Sequence, residues 1–420
     1  MNTPRPSNTE RNHKSASKAP KFISYENLDK IGEIAVYYGF VPMKSPNVSK
    51  ADIAAAKDLL ADEQPNGTDD YPGNLSFHAE EKVALIRMYN ETNMHTLPQP
   101  VMLYFKDPYR GSLKTDKYHR YADFEMLGTS GSIAEATLIQ TARAMLTEEG
   151  YINTSVEINS VGDKDSIARF VRELTSYYRK NINDMTPACR QLFKLDPFSL
   201  LSSTDESCAA LNAAAPRAMD FLTETSRHHL EETLEYLEAL HIPYVINNGL
   251  IGNRAYCTET IFSIINLDAD KNAVKEPRIL AIGTRYNGLA KRLAMKRDVQ
   301  GVGMSLLIKS TKNNLRKSVT KMKRPIASFV QLGLESKLLS LDVIERLRQA
   351  NIPLYLSLAK DRLGAQVSSI EKYHTPYVIV VGKKEAVEKT AIVRHTDTHS
   401  QDVVPLEELP KYMKKVEKSL

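Results

Sequence analysis

Leu250-Ile251-Gly252-Asn253-Arg254-Ala255-Tyr256-Cys257-Thr258-Glu259-Thr260-Ile261-Phe262 is the stretch on which the reading of this chain turns. No single stretch is decisive; the order and spacing of the stretches around it are specific. Upstream lie Phe77-His78-Ala79-Glu80-Glu81-Lys82-Val83-Ala84, then Ser155-Val156-Glu157-Ile158-Asn159-Ser160-Val161-Gly162, which reads as a strand running into a turn. His241-Ile242-Pro243-Tyr244-Val245-Ile246-Asn247 follows. Downstream, a strand expected over 278–282 enters Gly283-Thr284-Arg285-Tyr286-Asn287-Gly288-Leu289. Gly301-Val302-Gly303-Met304-Ser305-Leu306-Leu307-Ile308-Lys309-Ser310 comes next.

A chain of 420 residues is long enough for two or three domains with substantial cores. Its 42% hydrophobic and 25% charged residues are those of an ordinary globular protein. No uninterrupted apolar run is long enough to span a bilayer. Residues 1–21 are polar and carry no aromatic or large aliphatic side chain after Met1, so they read as a disordered basic tail. The tail has no apolar stretch of the kind a secretory signal needs, and Glu10 argues against a transit peptide. A net charge of +5 is mildly basic and compatible with a polyanionic partner. Cys189, Cys208 and Cys257 form no CxxC pair and no even set. Neither a zinc site nor a structural disulfide is therefore expected, and the usage suits a reducing cytoplasm.

Ile31, Ile34, Ala35 and Tyr38 recur at helical spacing within 22–40, and Gly39 ends that helix. Residues 41–46 read as extended. This helix and strand would leave Tyr37, Phe40 and Val41 partly exposed in a single chain. Further helices are expected over 133–149, 167–178 and 219–240, and a strand over 101–105. A basic, acid-free linker, 309–324, precedes a β-α-β-α-β pattern from Pro325 onward. Its strands are expected over 327–331, 352–356 and 377–382, its helices over 338–350 and 363–373, with one more strand over 390–394.

Leu250, Tyr256, Thr258, Thr260 and Phe262 resemble the scaffold of the histidine-binding signature of histidyl-tRNA synthetases, roughly L-V-R-G-L-D-Y-Y-T-x-T-V-F. The other stretches resemble that family's L-R-P-E-G-T-A, L-E-L-N-S-I-G, G-I-P-Y-x-x-N, G-G-R-Y-D-G-L and third class II motif, in order. The helix and strand of 31–46 resemble the first class II motif, which builds the dimer interface, so the resemblance implies a homodimer through 31–46; the C-terminal pattern resembles the anticodon-binding domain shared by the histidyl, glycyl, threonyl and prolyl synthetases. The resemblance implies an α+β class II aminoacyl-tRNA synthetase core: an antiparallel sheet flanked by helices, with a helical insertion. A C-terminal three-layer α/β domain of the anticodon-binding type follows. The expected boundaries are a tail at 1–21, a core at 22–324 with its insertion at about 159–247 and linker at about 309–324, and a last domain at 325–420.

The chain departs from the family where the family carries charge. Gly252 stands at the signature's arginine and Ala255 at its aspartate. Lys106 stands at the first arginine of the second motif, where it gives one charge without the bidentate fork. Arg110 takes that role only if the loop shortens. Lys309 and Ser310 stand at the third motif's glutamate and arginine, removing the usual acidic partner for metal-bound phosphate. Lys82 stands at the threonine of L-R-P-E-G-T-A. Arg254, two residues beyond Gly252 and about 6–7 Å along a strand, is the candidate for a relocated arginine. Losing one preorganised charge contact costs roughly 10²–10³ in rate, and such losses are not additive. With two lost and a third weakened, aminoacylation is not expected.

What survives implies a remnant ligand pocket lined by Glu80, Glu125, Arg254, Tyr256, Thr258, Arg285, Tyr286 and Asn287. The linker cations Lys317, Lys321, Lys323 and Arg324 are an electrostatic footprint for phosphates, and Tyr373 is a candidate for stacking on an unpaired base. The function implied is that of a cytoplasmic, homodimeric, histidyl-tRNA-synthetase-like protein acting by binding tRNA or another RNA, with no cofactor required. One alternative is a divergent but active histidine–tRNA ligase, which alone would use ATP and Mg. Another is a regulatory subunit resembling the synthetase-like partner of ATP phosphoribosyltransferase, with a protein partner in histidine metabolism or translation. Those regulators generally lack the C-terminal domain expected here.

Overall fold

The computed structural model describes residues 28–61, 78–106, 119–203, 205–268, 278–309, 325–356, 363–371 and 374–419. The expected tail, Arg110, Ser310, the linker cations Lys317, Lys321, Lys323 and Arg324, and Tyr373 lie outside them.

The first sheet has eight strands. In spatial order they are β1 (Val41–Met43), β2 (Val101–Lys106), β3 (His119–Leu127), β8 (Gly301–Lys309), β7 (Ile279–Arg285), β6 (Thr258–Asn266), β4 (Thr154–Gly162) and β5 (Tyr244–Ile246). Every inner pair is antiparallel; only the edge strands β1 and β5 run parallel to their neighbours. Side chains alternate between the two faces. Val302, Met304, Leu306 and Ile308 of β8 enter the cluster that contains Leu138 and Ile139 of α4 (Ile133–Glu148). Leu307, with Leu103 and Phe105 of β2, joins Val83 and Ile86 of α3 (Ala79–Glu91) on the other face, along with part of α2 (Lys50–Ala61) and α10 (Leu289–Arg292). Both faces are covered, which is why β8 carries no polar alternation.

Between β4 and β5 the chain forms α5 (Lys164–Lys180), α6 (Pro187–Leu195), α7 (Pro197–Leu201), α8 (Glu206–Ala213) and α9 (Glu224–Ala239). Helices α6 and α7 each begin on proline behind a capping side chain, Thr186 and Asp196. Helices α5 to α8 bury a small core of their own around Phe170, Tyr178 and Phe198. Helix α9 instead packs on α4, β4 and β6, so the C-terminal part of the expected insertion belongs to the main core. Within the small core Cys189 and Cys208 are joined by a disulfide, against the expectation from cysteine count. Helices α6 and α8 bring their Cα atoms to 5.9 Å, a distance that a spacing of 19 residues does not reveal.

The second sheet has the order β10-β9-β11-β12-β13. Strand β9 (Ala327–Gln331) lies between parallel β10 (Leu354–Leu356) and β11 (Tyr377–Val381); β12 (Thr390–His395) and β13 (Gln401–Pro405) continue antiparallel. Its helices are α11 (Leu334–Gln349), α12 (Leu363–Ile370), α13 (Lys383–Glu388) and α14 (Leu409–Ser419). Helix α11 docks on the first unit. Gln140 donates to the Leu341 carbonyl at 3.0 Å. Tyr38, just past α1 (Lys30–Tyr37), donates to Glu345, whose carboxylate Arg348 also holds.

Burial within the chain corrects the surface argument for a dimer through 31–46. Tyr37 is only 9% exposed and Phe40 1%. The Tyr37 hydroxyl is pushed up to about 12, by burial first and then by the charges of Glu33 and Glu417. Phe40 packs edge-on against Phe124 of β3, 5.1 Å between ring centroids, so the patch is already buried within one chain.

Candidate ligand site

Two glycines of β8 make room for the site. A Cβ at Gly303 would lie 2.1 Å from the Glu125 carboxylate, and one at Gly301 would lie 2.3 Å from the Tyr286 ring. The space is filled by Glu125 from β3 and Tyr286 from the end of β7. Tyr286 donates to Glu125 Oε2 at 2.6 Å. Lys82, in the first turns of α3, reaches across and pairs with Glu125 Oε1. Its ammonium sits 5.5 Å from the Tyr286 ring centroid. Lys82, Glu125 and Tyr286 are 3%, 1% and 0% exposed.

Burial works against charge on both members of the pair. For Lys82, burial lowers the pKa, but Glu125, Asp123 and Glu81 together raise it above the ordinary lysine range, so the ammonium keeps its proton. Burial pushes Glu125 upward, opposed by Lys82 and by the Tyr286 hydroxyl. Burial and the Glu125 charge hold the Tyr286 phenol well above its usual range, so it is a donor here.

The backbone of the 250–257 stretch is closely packed against its own side chains. A Cβ at Gly252 would lie 2.5 Å from Cys257 Sγ and 2.7 Å from its Cβ. An arginine at 252 therefore has no exit on this backbone. Ala255 is fully buried, and its N–H donates to the Asn253 side chain at 2.8 Å.

Several expected pocket residues are committed elsewhere. Arg254 pairs with Asp196 and lies 5.2 Å over the Phe198 ring, both in the helical insertion. It does not supply a relocated arginine. Arg285 is a fully buried brace, not a pocket cation. Its Nε and Nη2 donate to Glu135 at 2.7 Å each, and it reaches the carbonyls of Thr129 at 2.8 Å and Gly131 at 3.1 Å. His229 Nε2 lies 2.8 Å from the same Glu135. Burial alone would raise the Glu135 carboxyl, but Arg285 and His229 overcome it and hold it down to about 2. Lys106 pairs with Asp29, the residue that caps α1, so it is tied to the dimer-motif helix.

Thr258 and Asn287 are scaffold. The Asn287 N–H donates to Thr258 Oγ1 at 3.0 Å, and the Gly301 N–H donates to Asn287 Oδ1 at 3.3 Å. Tyr256 is buried in the α3-side core, and Glu80 is half-buried in the first turn of α3. Of the eight expected lining residues, hydrogen bonds join two pairs, Glu125 with Tyr286 and Thr258 with Asn287. The structure adds Lys82, which the sequence places at the threonine of L-R-P-E-G-T-A but does not mark as a lining residue. At the third motif, the Lys309 ammonium lies 4.0 Å from the Tyr151 ring centroid, where the family pattern has an acid.

The fold is a class II synthetase-type core followed by a second α/β unit. Residues 333–416 match the family described as "Anticodon binding domain". A histidine–tRNA ligase of Caldanaerobacter subterraneus subsp. tengcongensis is 23% identical over 413 residues, covering 95% of this chain and 96% of that protein. One from Desulforamulus reducens is 25% identical over 391 residues, covering 90% and 91%. The structure of apo S. aureus histidyl-tRNA synthetase aligns with 91% of this chain and 93% of its own at 22% identity, with a TM-score of 0.47. The similarity to these histidine–tRNA ligases runs over nine-tenths of the chain or more, at 23–25% identity.

Proposed function

We propose that this protein binds tRNA or another RNA and does not aminoacylate it. The observation that carries the reading is the Lys82–Glu125–Tyr286 cluster, which fills with the chain's own ammonium the space between β3, β7 and α3. Three further observations support it. Gly252 has no room for a guanidinium-bearing side chain. Lys106 is tied to Asp29. Lys309 puts a cation where metal-bound phosphate needs an acid. The residues described at the third motif thus do not fit Mg-bound ATP, and the reading requires no cofactor.

The anticodon-binding domain and the basic linker supply the RNA-binding half of the reading. A homodimer in the cytoplasm belongs to it as well, with an interface that does not use Tyr37 and Phe40, which are buried within the chain. ATP–pyrophosphate exchange tests the first half and tRNA binding over a range of salt tests the second. Exchange at an ordinary enzyme rate, or no tRNA binding at low salt, would remove the corresponding half.

A further inference from the structure

Around the Lys82 ammonium the structure places one accepting carboxylate, Glu125, the face of Tyr286, and the further acids Asp123 and Glu81. Carboxylates with an aromatic face form the arrangement that recognises an ammonium group. The cage is also shaped. Gly301 and Gly303 leave the volume that Tyr286 and Glu125 occupy, and the Tyr286 hydroxyl fixes the second Glu125 oxygen, leaving the first for the amine. The cation is presented on the unbranched methylene chain of a lysine that is only 3% exposed.

We propose that this is a binding site for a primary, unbranched alkylammonium group, and that Lys82 is its built-in occupant, closing the site to amines from outside. The inference deepens the reading that the amino-acid site is self-filled and rests on it. Its test uses neither ATP, histidine nor RNA, so the two fail separately.

Lys82→Ala removes three methylenes and the ammonium, which n-propylammonium replaces. Thermal unfolding of the full-length K82A protein is followed in n-propylammonium chloride and in sodium chloride of equal ionic strength. The amine is expected to raise the K82A midpoint in a saturable way, with no such rise for 1-propanol or for the unsubstituted protein. The double variant K82A/E125Q is expected to lose the amine response. If K82A folds poorly, its refolding yield in the amine against sodium chloride is read instead, with a gain expected. The absence of any amine-specific effect on midpoint or yield would overturn the proposal. So would a response to 1-propanol equal to that to the amine, or one that survives in K82A/E125Q.

Discussion

Gly252 and Cys257 face each other so closely that a single added Cβ on the glycine would stand 2.5 Å from the cysteine sulfur. The missing arginine of the signature is therefore not a vacancy waiting for its side chain. Overpacking a well-filled core costs about 1–3 kcal/mol. Gly252→Ala is expected to lower the thermal midpoint accordingly, and Gly252→Arg to lower it further without producing adenylation. Denaturant unfolding of G252A checks this; a variant as stable as the parent would show that the backbone here yields.

The Arg285–Glu135 brace predicts a particular acid response. Glu135 has an ordinary value of 4.5 and is held down to about 2 in the fold. A folded-state value below the unfolded one means that its stabilisation is fully present above about pH 4.5 and is lost as pH falls from there towards 2. Glu135→Gln leaves Arg285 without its counter-charge. Breaking a buried pair this way costs about 3–5 kcal/mol, and the remaining stability is expected to vary less with pH between about 4.5 and 2. Urea titrations at several pH values measure both effects, and an unchanged acid slope would contradict the assignment.

The residues that were legible in the sequence and those that were not divide along a physical line. The helix expected over 133–149 is α4, Ile133–Glu148, because its run of good helix formers such as Ala, Leu, Met and Glu, without Gly or Pro, is a local signal. The motif order fixed the fold class for the same reason: each motif is a local turn or strand. The roles of charged residues were not local. Arg285 matches its family position, yet its function is set by Glu135, 150 residues away in sequence. Arg254 is decided by Asp196, and Lys82 by Glu125. Strand β13 and helix α14 were missed. Strand β13 buries only Val404 and shows no clear apolar pattern, whereas α14 carries Leu409, Tyr412, Met413 and Val416 at helical spacing, a local signal present in the sequence. The disulfide was missed because pairing depends on how α6 and α8 fold back on each other.

RNA binding, if it uses the linker, is dominated by phosphate contacts. Affinity is then expected to fall steeply with salt, and replacing Lys317, Lys321, Lys323 and Arg324 by Gln is expected to flatten that slope. Tyr373→Ala is expected to cost about 1–3 kcal/mol of binding with little change in slope if the ring stacks on a base. Filter binding of total tRNA at several salt concentrations reads both. A Tyr373→Ala protein that loses thermal stability instead would place the ring in the domain core.

The dimer has a prediction of its own. The mass in solution is expected to be twice that of the chain at micromolar concentration. Substituting Tyr37 or Phe40 is expected to lower the stability of the fold rather than to dissociate subunits, since both are buried within one chain and Phe40 packs on Phe124. Light scattering on the parent and on Phe40→Ala separates these; dissociation of F40A into well-folded monomers would return the interface to 31–46.

The central claim is that the synthetase chemistry has been displaced by the chain's own side chains at Lys82, Gly252 and Lys309. ATP–pyrophosphate exchange with histidine, and separately with the other amino acids, tests it most directly. Exchange is predicted to be indistinguishable from a no-enzyme control for every amino acid. A turnover near roughly 1 s⁻¹, ordinary for an enzyme, with any one of them would contradict it.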